Sequence, residues 1–104
     1  MQSFQEVPIS SLRPSTTNPR KTFAGAELHD LAASIKERGV LQPLLVRHTL
    51  NDDGFEIVAG ERRWRAAMIA GLAQLPVMVR ELTDVEALEA QVIENLQRED
   101  VPPI

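Results

Sequence analysis

Three segments of the chain repeat apolar residues at the spacing of an α-helix. The first covers 27–38 and ends at Gly39, a residue suited to a helix C-cap. The second covers 60–70 and ends before another glycine. The third begins after Thr83, which can form a T-x-x-E capping box with Glu86. The apolar positions are Leu28, Leu31, Ala32 and Ile35 in the first helix and Val85, Leu88, Val92 and Leu96 in the third.

Shorter apolar segments between these helices predict a β-sheet. A strand is predicted at 7–10, where the proline favours a sheet edge, and residues 12–25 with their two prolines predict a loop. The segments 44–50 and 55–59 flank the turn NDDG and predict a hairpin. A last strand is predicted at 75–81. The order β-loop-α-β-β-α-β-α predicts a small α+β domain with a mixed sheet and three helices.

The composition is typical of one soluble globular domain. The chain has 104 residues, of which 43% are hydrophobic and 25% are charged. It has no cysteine, which excludes a disulfide framework, a thiolate metal site and a cysteine nucleophile. No apolar run is long enough to span a bilayer, and MQSFQEVPIS lacks the features of a signal peptide. The net charge of −4 disfavours general nucleic-acid binding, because phosphate contacts dominate that affinity.

The start of the second helix carries unfavourable charge. Arg62, Arg63 and Arg65 lie in its first turn and a half, where the helix dipole already places partial positive charge. Gly60 has no side chain, so a ligand could approach the backbone N–H groups closely. Such N–H donors and the fork-shaped guanidinium groups suit phosphate oxygens. The residues after Arg65, AAMIAGLA, are apolar around the whole circumference of the helix, and this part of the helix is expected to be buried.

Two interpretations of these arginines stay open from spacing alone. They form a phosphate site, or they form a solvated turn that is partly paired with Glu61 and other acidic residues. The stretch GERR is not a P-loop, because it lacks the G-x-x-x-x-G-K-[ST] pattern. Trp64, the single tryptophan, is expected to pack in the core, because a stacking platform for nucleic acid needs several aromatic side chains.

Two segments before this helix contain candidate ligand-binding residues. The loop 18–23 contains Arg20, Lys21 and Thr22, which either face a ligand or form an ordinary solvated loop. Gln42 lies where the first helix gives way to a strand, and a capping role there is the simpler interpretation.

The end of the third helix contains a candidate metal site. Glu94 and Asn95 could place oxygens near Mg²⁺, which takes one or two protein ligands besides phosphates and water. Glu94 also stands four residues before Arg98, the spacing of an ordinary exposed ion pair. His29 is expected on an exposed helix face and His48 within a strand, and neither has a partner at metal-ligand spacing.

The motifs NPRKTF, LAASIKERGVLQPLLVR, FEIVAGERRWRAA and VIENLQRED follow one another in this order. Together they resemble the N-terminal domain of the ParB family of chromosome and plasmid partition proteins, from about Val7 to Asp100. The resemblance implies a CTP-dependent DNA clamp that binds a centromere-like site through a helix-turn-helix domain. It also implies that CTP and Mg²⁺ close the clamp and that CTP is hydrolysed slowly.

The resemblance assigns roles within a nucleotide site. Gln42 would lie near the reacting γ-phosphate and could orient the attacking water, and Glu94 and Asn95 would lie at the phosphates and Mg²⁺. With no strong general base evident, at most a weak CTPase is expected. The expected catalytic residues are Gln42, Arg63 and Glu94, and the expected nucleotide contacts are Arg20, Thr22, Gly60, Glu61, Arg62, Arg63, Arg65 and Asn95.

The resemblance also predicts the domain organisation. A complete family member continues into a helix-turn-helix domain and a dimerisation domain, and its N-terminal peptide contacts a ParA-type ATPase. We therefore expect residues 1–101 to form the nucleotide-binding domain and 102–104 to begin a linker to a helix-turn-helix domain absent here. The chain is expected to be a fragment or a short paralogue that does not recognise a DNA site alone. The full-length protein is expected to be a cytoplasmic, nucleoid-associated homodimer of bacterial type without membrane contact.

Two other functions stay open from the sequence. One is a ParB-like nuclease, although no dense carboxylate cluster for two metal ions is evident. The other is a nucleotide-independent interaction module in which GERRWRA and ENLQRED form a protein-binding face. Sulfiredoxin is similar in overall fold, but its chemistry needs a cysteine, which this chain lacks.

Overall fold

The computed structural model of the chain describes residues 2–15, 25–49 and 53–96. No helix within these ranges is long and apolar enough to cross a membrane. The elements in chain order are β1 (Gln2–Pro8), a 3-10 turn (Ile9–Ser11), β2 (Leu12–Arg13), α1 (Gly25–Arg38), β3 (Leu44–His48), β4 (Phe55–Ala59), α2 (Glu61–Ala70), β5 (Gln74–Arg80) and α3 (Asp84–Leu96).

Five strands form one mixed sheet in the order β1-β5-β3-β4-β2. β3 and β4 are antiparallel, with Arg47 opposite Glu56 and His48 opposite Phe55, which confirms the predicted hairpin. β5 is antiparallel to β1 and parallel to β3, and β2 is parallel to β4. The α+β class with three helices is therefore confirmed. β2 was not predicted, because two residues give no periodic pattern.

The first strand differs in extent from its prediction at 7–10. It begins at Gln2 and ends at Pro8, and the residues after it form the 3-10 turn. The predicted edge position is confirmed, since β1 is the outermost strand on its side of the sheet. Val7 is buried, whereas Phe4 is 69% exposed, so most of this strand lacks the alternating apolar pattern of a half-buried strand.

The main hydrophobic core lies between one face of the sheet and the helices α1 and α2. These two helices contact each other, and α2 also contacts β3. The side chains that alternate along the central strands point into this core, as the two-residue period of a strand requires. The buried members are Val7, Leu12, Ala32, Ile35, Leu44, Val46, Ile57, Ala66, Ala67, Leu75, Val77 and Val79.

The predicted burial of α2 beyond Arg65 is wrong in part. Ala66 and Ala67 are fully buried, but Met68 is 45% and Ile69 is 48% exposed. The helix is covered on the side where α1 and the sheet lie, and its opposite side faces solvent. An apolar circumference therefore did not mean burial on every side.

The helix α3 packs against β4 through a small contact face. Ala87 and Gln91 are buried on this face, and Val58 of β4 is buried outside the main cluster. The apolar stripe predicted from helical spacing lies on the outer side, with Val85 68%, Leu88 43% and Val92 43% exposed. The helical spacing was thus right, but the stripe does not mark the face that packs on the sheet.

Hydrogen bonds fix the N-terminus of α3. The predicted capping box is confirmed: the Glu86 carboxylate accepts from the Thr83 N–H at 2.9 Å, and the Thr83 hydroxyl accepts from the Glu86 N–H at 3.1 Å. These bonds to Thr83 lower the pKa of Glu86. The helix therefore starts at a defined position on the sheet.

A buried arginine ties the same end of α3 to the hairpin. Arg47 is 9% exposed and donates to the Glu56 carboxylate at 3.3 Å, to the Leu82 carbonyl at 3.0 Å and to Asp84 at 2.8 Å. Burial acts to lower the pKa of Arg47, but its bonds to Glu56 and Asp84 raise that pKa by more. Arg47 is therefore a structural cation that joins β3, β4 and α3.

Candidate functional site

The junction between β4 and α2 requires a glycine. Gly60 has a φ of 105°, in the left-handed region, and a Cβ built on it would lie 2.9 Å from Leu44 Cγ and 3.1 Å from a terminal nitrogen of Arg63. As the N-cap of α2 it makes no side-chain hydrogen bond to the helix. The start of α2 therefore has no side-chain cap at this position, which is the arrangement that suits an anion at a helix N-terminus.

Arg63 folds back from this helix start over the preceding loop. One terminal nitrogen donates to the Gln42 carbonyl at 2.7 Å and stands 3.4 Å from the Pro43 carbonyl. Burial lowers the pKa of Arg63, and the nearby charge of Glu94 only partly offsets this effect. The guanidinium is thus held in place by neutral carbonyls, and its charge is incompletely compensated.

Glu94 of α3 reaches the same junction from the other side. Its carboxylate accepts a hydrogen bond from the Gly60 N–H, and its charge interacts with those of Arg63 and Arg62. Burial nevertheless raises the pKa of Glu94, because it outweighs these three favourable interactions. A partly buried cation and a partly buried anion therefore meet at Gly60, and each is destabilised by burial.

The other charged residues at the start of α2 pair with acidic side chains. Arg62 lies 3.8 Å from the Glu27 carboxylate of α1, and both side chains are partly exposed. Arg65 lies 3.2 Å from Glu61, whose carboxylate is only 5% exposed. The interpretation of a paired turn therefore describes Arg65 well. It does not describe Arg63, whose closest hydrogen-bond acceptors are backbone carbonyls.

Glu61 points its side chain into the fold. One carboxylate oxygen accepts from the Ser15 N–H at 3.3 Å and the other from Arg65. If Glu61 contacts a phosphate, it therefore does so through its backbone N–H.

The structure brings some of the predicted site residues together and leaves others undescribed. Gly60, Arg62, Arg63 and Glu94 converge at the start of α2. Gln42 joins them through its carbonyl, and it is exposed rather than the buried cap of the simpler interpretation. Asn95 belongs to α3, one residue beyond Glu94, and Arg20, Lys21 and Thr22 lie outside the described residues.

Trp64 and the two histidines are the other residues considered in the sequence analysis. Trp64 packs against the main core as predicted, and the guanidinium of Arg65 lies 5.7 Å from its ring centre. His29 is exposed on α1 as expected, and His48 stacks against Phe55 with ring centres 5.0 Å apart. The described residues contain no group of three or more His, Cys, Asp or Glu side chains that could hold a metal ion. Within them, a metal ion would therefore have at most two such side chains as ligands.

Three residues near the site were missed by sequence reasoning. Glu27 pairs with Arg62, and Gln91 donates to the Ser15 hydroxyl at 2.5 Å. Ser15 and Gln91 are 76 positions apart, so no local pattern could have joined them. Gln91 lies on the packed face of α3. The apolar stripe on the opposite, exposed face led the sequence analysis to expect packing on that other side.

The fold is a small α+β domain. Its candidate anion site is the start of α2, where the partly buried charges of Arg63 and Glu94 meet. The family model of the ParB N-terminal domain matches residues 1–96, and the chain therefore belongs to the ParB family. A similar relative is the chromosome-partitioning protein Spo0J of Thermus thermophilus, 56% identical over 98 residues, which cover 94% of this chain and 36% of that protein. The chain thus spans about a third of the length of this relative.

Solved structures agree with this assignment. The C-terminally truncated ParB of Caulobacter crescentus complexed with CTP-gamma-S matches with a TM-score of 0.88 and 51% identity, over 95% of this chain and 56% of that one. The same protein complexed to the centromeric parS site matches with a TM-score of 0.81 and 48% identity, over 93% and 49%. Sulfiredoxin from Arabidopsis thaliana matches with a TM-score of 0.64, 22% identity and coverage of 86% and 97%, a likeness of fold alone.

Proposed function

We propose that this chain is the CTP-binding switch domain of a ParB partition protein and that it binds CTP together with Mg²⁺. The observation that carries the proposal is the pair of desolvated charges at Gly60. Burial lowers the pKa of Arg63 and raises that of Glu94, because their mutual attraction only partly offsets the cost of removing each charge from water. A triphosphate would supply negative charge to Arg63, and a divalent cation would supply positive charge to Glu94.

The backbone at the start of α2 supports the phosphate part of the proposal. Gly60 starts α2 without a side chain, and the helix dipole adds partial positive charge at the N-terminus of that helix. Arg62 and Arg63 would bind phosphate oxygens, and Glu61 would contribute its N–H group. Arg20 and Thr22 stay predicted pocket residues, and the preference for CTP rests on the CTP-gamma-S complex of the Caulobacter relative.

The metal part of the proposal rests on the donor set. Glu94 and, by prediction, Asn95 are hard oxygen ligands at the end of α3, and Mg²⁺ commonly uses one or two such ligands with phosphates and water. Bound there, Mg²⁺ would neutralise charge on the phosphate oxygens. Without a metal, Glu94 would stand as an unneutralised anion beside the triphosphate.

Slow hydrolysis is part of the proposal. Arg63 would stabilise charge on the transferred phosphoryl group and Gln42 would orient the attacking water. Glu94, as a metal ligand, would be a poor general base. We therefore expect CTP turnover to be weak.

In a longer ParB protein, nucleotide binding to this domain would be coupled to the DNA-binding and dimerisation domains. The parS complex of the Caulobacter relative supports DNA as a partner of such a protein. Homodimerisation, contact with a ParA-type ATPase and a nucleoid-associated location in the cytoplasm remain predictions. A switch role fits a domain in which α3 and α2 meet at the nucleotide site.

Calorimetric titration tests the proposal. CTP with Mg²⁺ is titrated into the chain, with ATP and GTP as competitors for specificity and Arg63→Ala as the test variant. Arg80→Ala serves as the control, because Arg80 is exposed at the end of β5. We expect that, of the three nucleotides, only CTP binds. Arg63→Ala should lose at least about tenfold in affinity for CTP, as removal of a charge-assisted bond predicts. Equal binding by both variants would contradict the proposal.

A further inference from the structure

A buried polar node lies where three segments of the chain meet. It consists of Ser15 before the undescribed loop, Glu61 at the start of α2 and Gln91 in α3, which are 4%, 5% and 2% exposed. The Gln91 amide donates to the Ser15 hydroxyl at 2.5 Å, and the Ser15 N–H donates to a Glu61 carboxylate oxygen at 3.3 Å. The node therefore joins the segment that ends at Ser15 to both helices.

Burial makes these contacts specific. The loss of a hydrogen-bond partner costs more free energy for a buried polar group than for an exposed one. Each member of the node therefore restricts the position of the others. Glu61 is also fixed by Arg65, four residues along α2, at 3.2 Å. The three segments consequently keep one arrangement relative to each other.

Each segment in the node also carries residues of the proposed nucleotide site. Glu61 immediately precedes Arg62 and Arg63, and Gln91 lies one helical turn before Glu94. Ser15 precedes the loop that contains Arg20 and Thr22. None of the three node side chains faces solvent, so the node itself is not a contact surface for a ligand.

We propose that Ser15 and Gln91 are positioning residues, which with the carboxylate of Glu61 set α2 and α3 at the spacing that CTP and Mg²⁺ require. This inference rests on the proposed function. Gln91 acts through α3 on the distance between Glu94 and Arg63, and Ser15 acts through its bonds with Gln91 and Glu61. The amide and hydroxyl are therefore needed for nucleotide affinity as well as for packing.

A double-mutant cycle tests the positioning role. The variants are Ser15→Ala, Gln91→Met, which keeps the length of the side chain, and the combination of both. Ser10→Ala and Glu89→Gln are the matched controls, since both positions are exposed. CTP affinity with Mg²⁺ is measured by calorimetry, and stability without nucleotide by urea unfolding.

We expect each single variant to weaken CTP binding by about three- to tenfold, as the loss of one buried hydrogen bond implies. The double variant should lose less affinity than the two single losses combined, because both changes break the same bond. A merely structural role predicts lower stability with unchanged affinity of the folded chain. That result, or additive losses of affinity, would overturn the proposal. Should Gln91→Met fail to fold, Ser15→Ala alone decides between these results.

Amide hydrogen exchange separates this inference from the proposed function. If the unmodified chain binds no nucleotide, the proposed function fails, and the node is then judged from exchange alone. Ser15→Ala should raise exchange both at Gly60–Arg63 and in the last turn of α3 around Glu94, and Gln91→Met should do the same. Faster exchange confined to the segment that carries the substitution would overturn the positioning role.

Discussion

Gly60 combines two constraints, of which the other positive-φ glycines among the described residues share only the backbone conformation. Its φ of 105° disfavours any side chain, and a Cβ would also press on buried Leu44 and on the Arg63 guanidinium. Gly39 and Gly71 have φ values of 77° and 81°, but a Cβ there would meet nothing within 4 Å. Close packing and backbone conformation thus both fix the residue from which α2 starts.

Substitution of Gly60 by alanine should therefore cost more than substitution of Gly71. We expect Gly60→Ala to lower the free energy of unfolding by about 3 kcal/mol, from backbone strain together with overpacking. Gly71→Ala should cost only about 1 kcal/mol, from the left-handed conformation alone. Urea unfolding of the two variants provides the comparison, and equal losses would show that the contact with Leu44 is relieved without cost.

Glu94 is expected to lower the stability of the folded chain at neutral pH and to support ligand binding. Its pKa is raised in the folded chain, chiefly by burial, so the stability that its protonated form contributes is present at low pH and is lost as pH rises through the folded pKa. Glu94→Gln, which stays neutral, should therefore be more stable than the original chain at neutral pH. The difference should vanish below the ordinary glutamate pKa, where both side chains are neutral. The same variant should lose Mg²⁺-dependent CTP binding.

Thermal unfolding at several pH values, with Glu89→Gln as the exposed control on α3, measures this prediction. A lower stability of Glu94→Gln at neutral pH would mean that its attraction to Arg63 exceeds the cost of its burial. Titration of CTP with and without Mg²⁺ provides the second measurement. Unchanged Mg²⁺ dependence in Glu94→Gln would contradict its assignment as the metal ligand.

The helix α3 is held to the sheet by few but specific contacts. Arg47 fixes its N-terminus, Ala87 and Gln91 form its packed face, and Glu94 reaches Gly60 at its other end. Its outer stripe of valine and leucine side chains is exposed. The position of this helix thus depends on polar anchors at both ends more than on a large apolar contact.

Loss of Arg47 should be costly because it removes the cation that pairs with the buried Glu56 carboxylate. We expect Arg47→Ala to destabilise the chain by about 3 kcal/mol, the cost typical of breaking one side of a buried ion pair. The double variant Arg47→Ala with Glu56→Ala should cost less than the sum of the two single changes. Urea unfolding measures the cycle, with Arg80→Ala as the exposed control. Strict additivity would contradict the pairing.

Local sequence patterns predicted the positions of the helices and strands better than they predicted which faces of these elements are buried. The hairpin, the three helices and the Thr83–Glu86 capping box follow from turn residues and spacing within a few positions, and all are observed. The strand β2 and the burial of Gln91 depend on partners far along the chain, so no local pattern could predict them. The same holds for the candidate site: the arginines after Gly60 led to the prediction of an anion site, whereas the contact of Glu61 with Ser15 is visible only in the fold.

The charge of the whole chain limits what it can bind. The net charge is −4, and the arginines at the start of α2 lie close to acidic side chains, so they form no extended basic surface within the described residues. Protein affinity for DNA depends chiefly on contacts with phosphates. The chain alone is therefore expected to lack the strong DNA binding of a complete partition protein.

A binding assay with a parS duplex measures this expectation. We expect the chain alone to bind no more tightly than about 10⁻⁴ M at physiological salt, the weak end of non-specific binding. The truncated Caulobacter ParB, solved as a parS complex, serves as the positive control. Tight binding of parS over a scrambled duplex by the chain alone would contradict this prediction.

The central claim is that the start of α2 and the end of α3 together bind the phosphates of CTP with Mg²⁺. NMR titration of the backbone amides tests it most directly, because each residue reports separately. The account predicts large shifts at Gly60–Arg63 and around Glu94 on addition of CTP with Mg²⁺, with little change in the distant β1 strand. Saturable binding that leaves the Gly60–Arg63 amides unshifted and perturbs another surface would contradict the account.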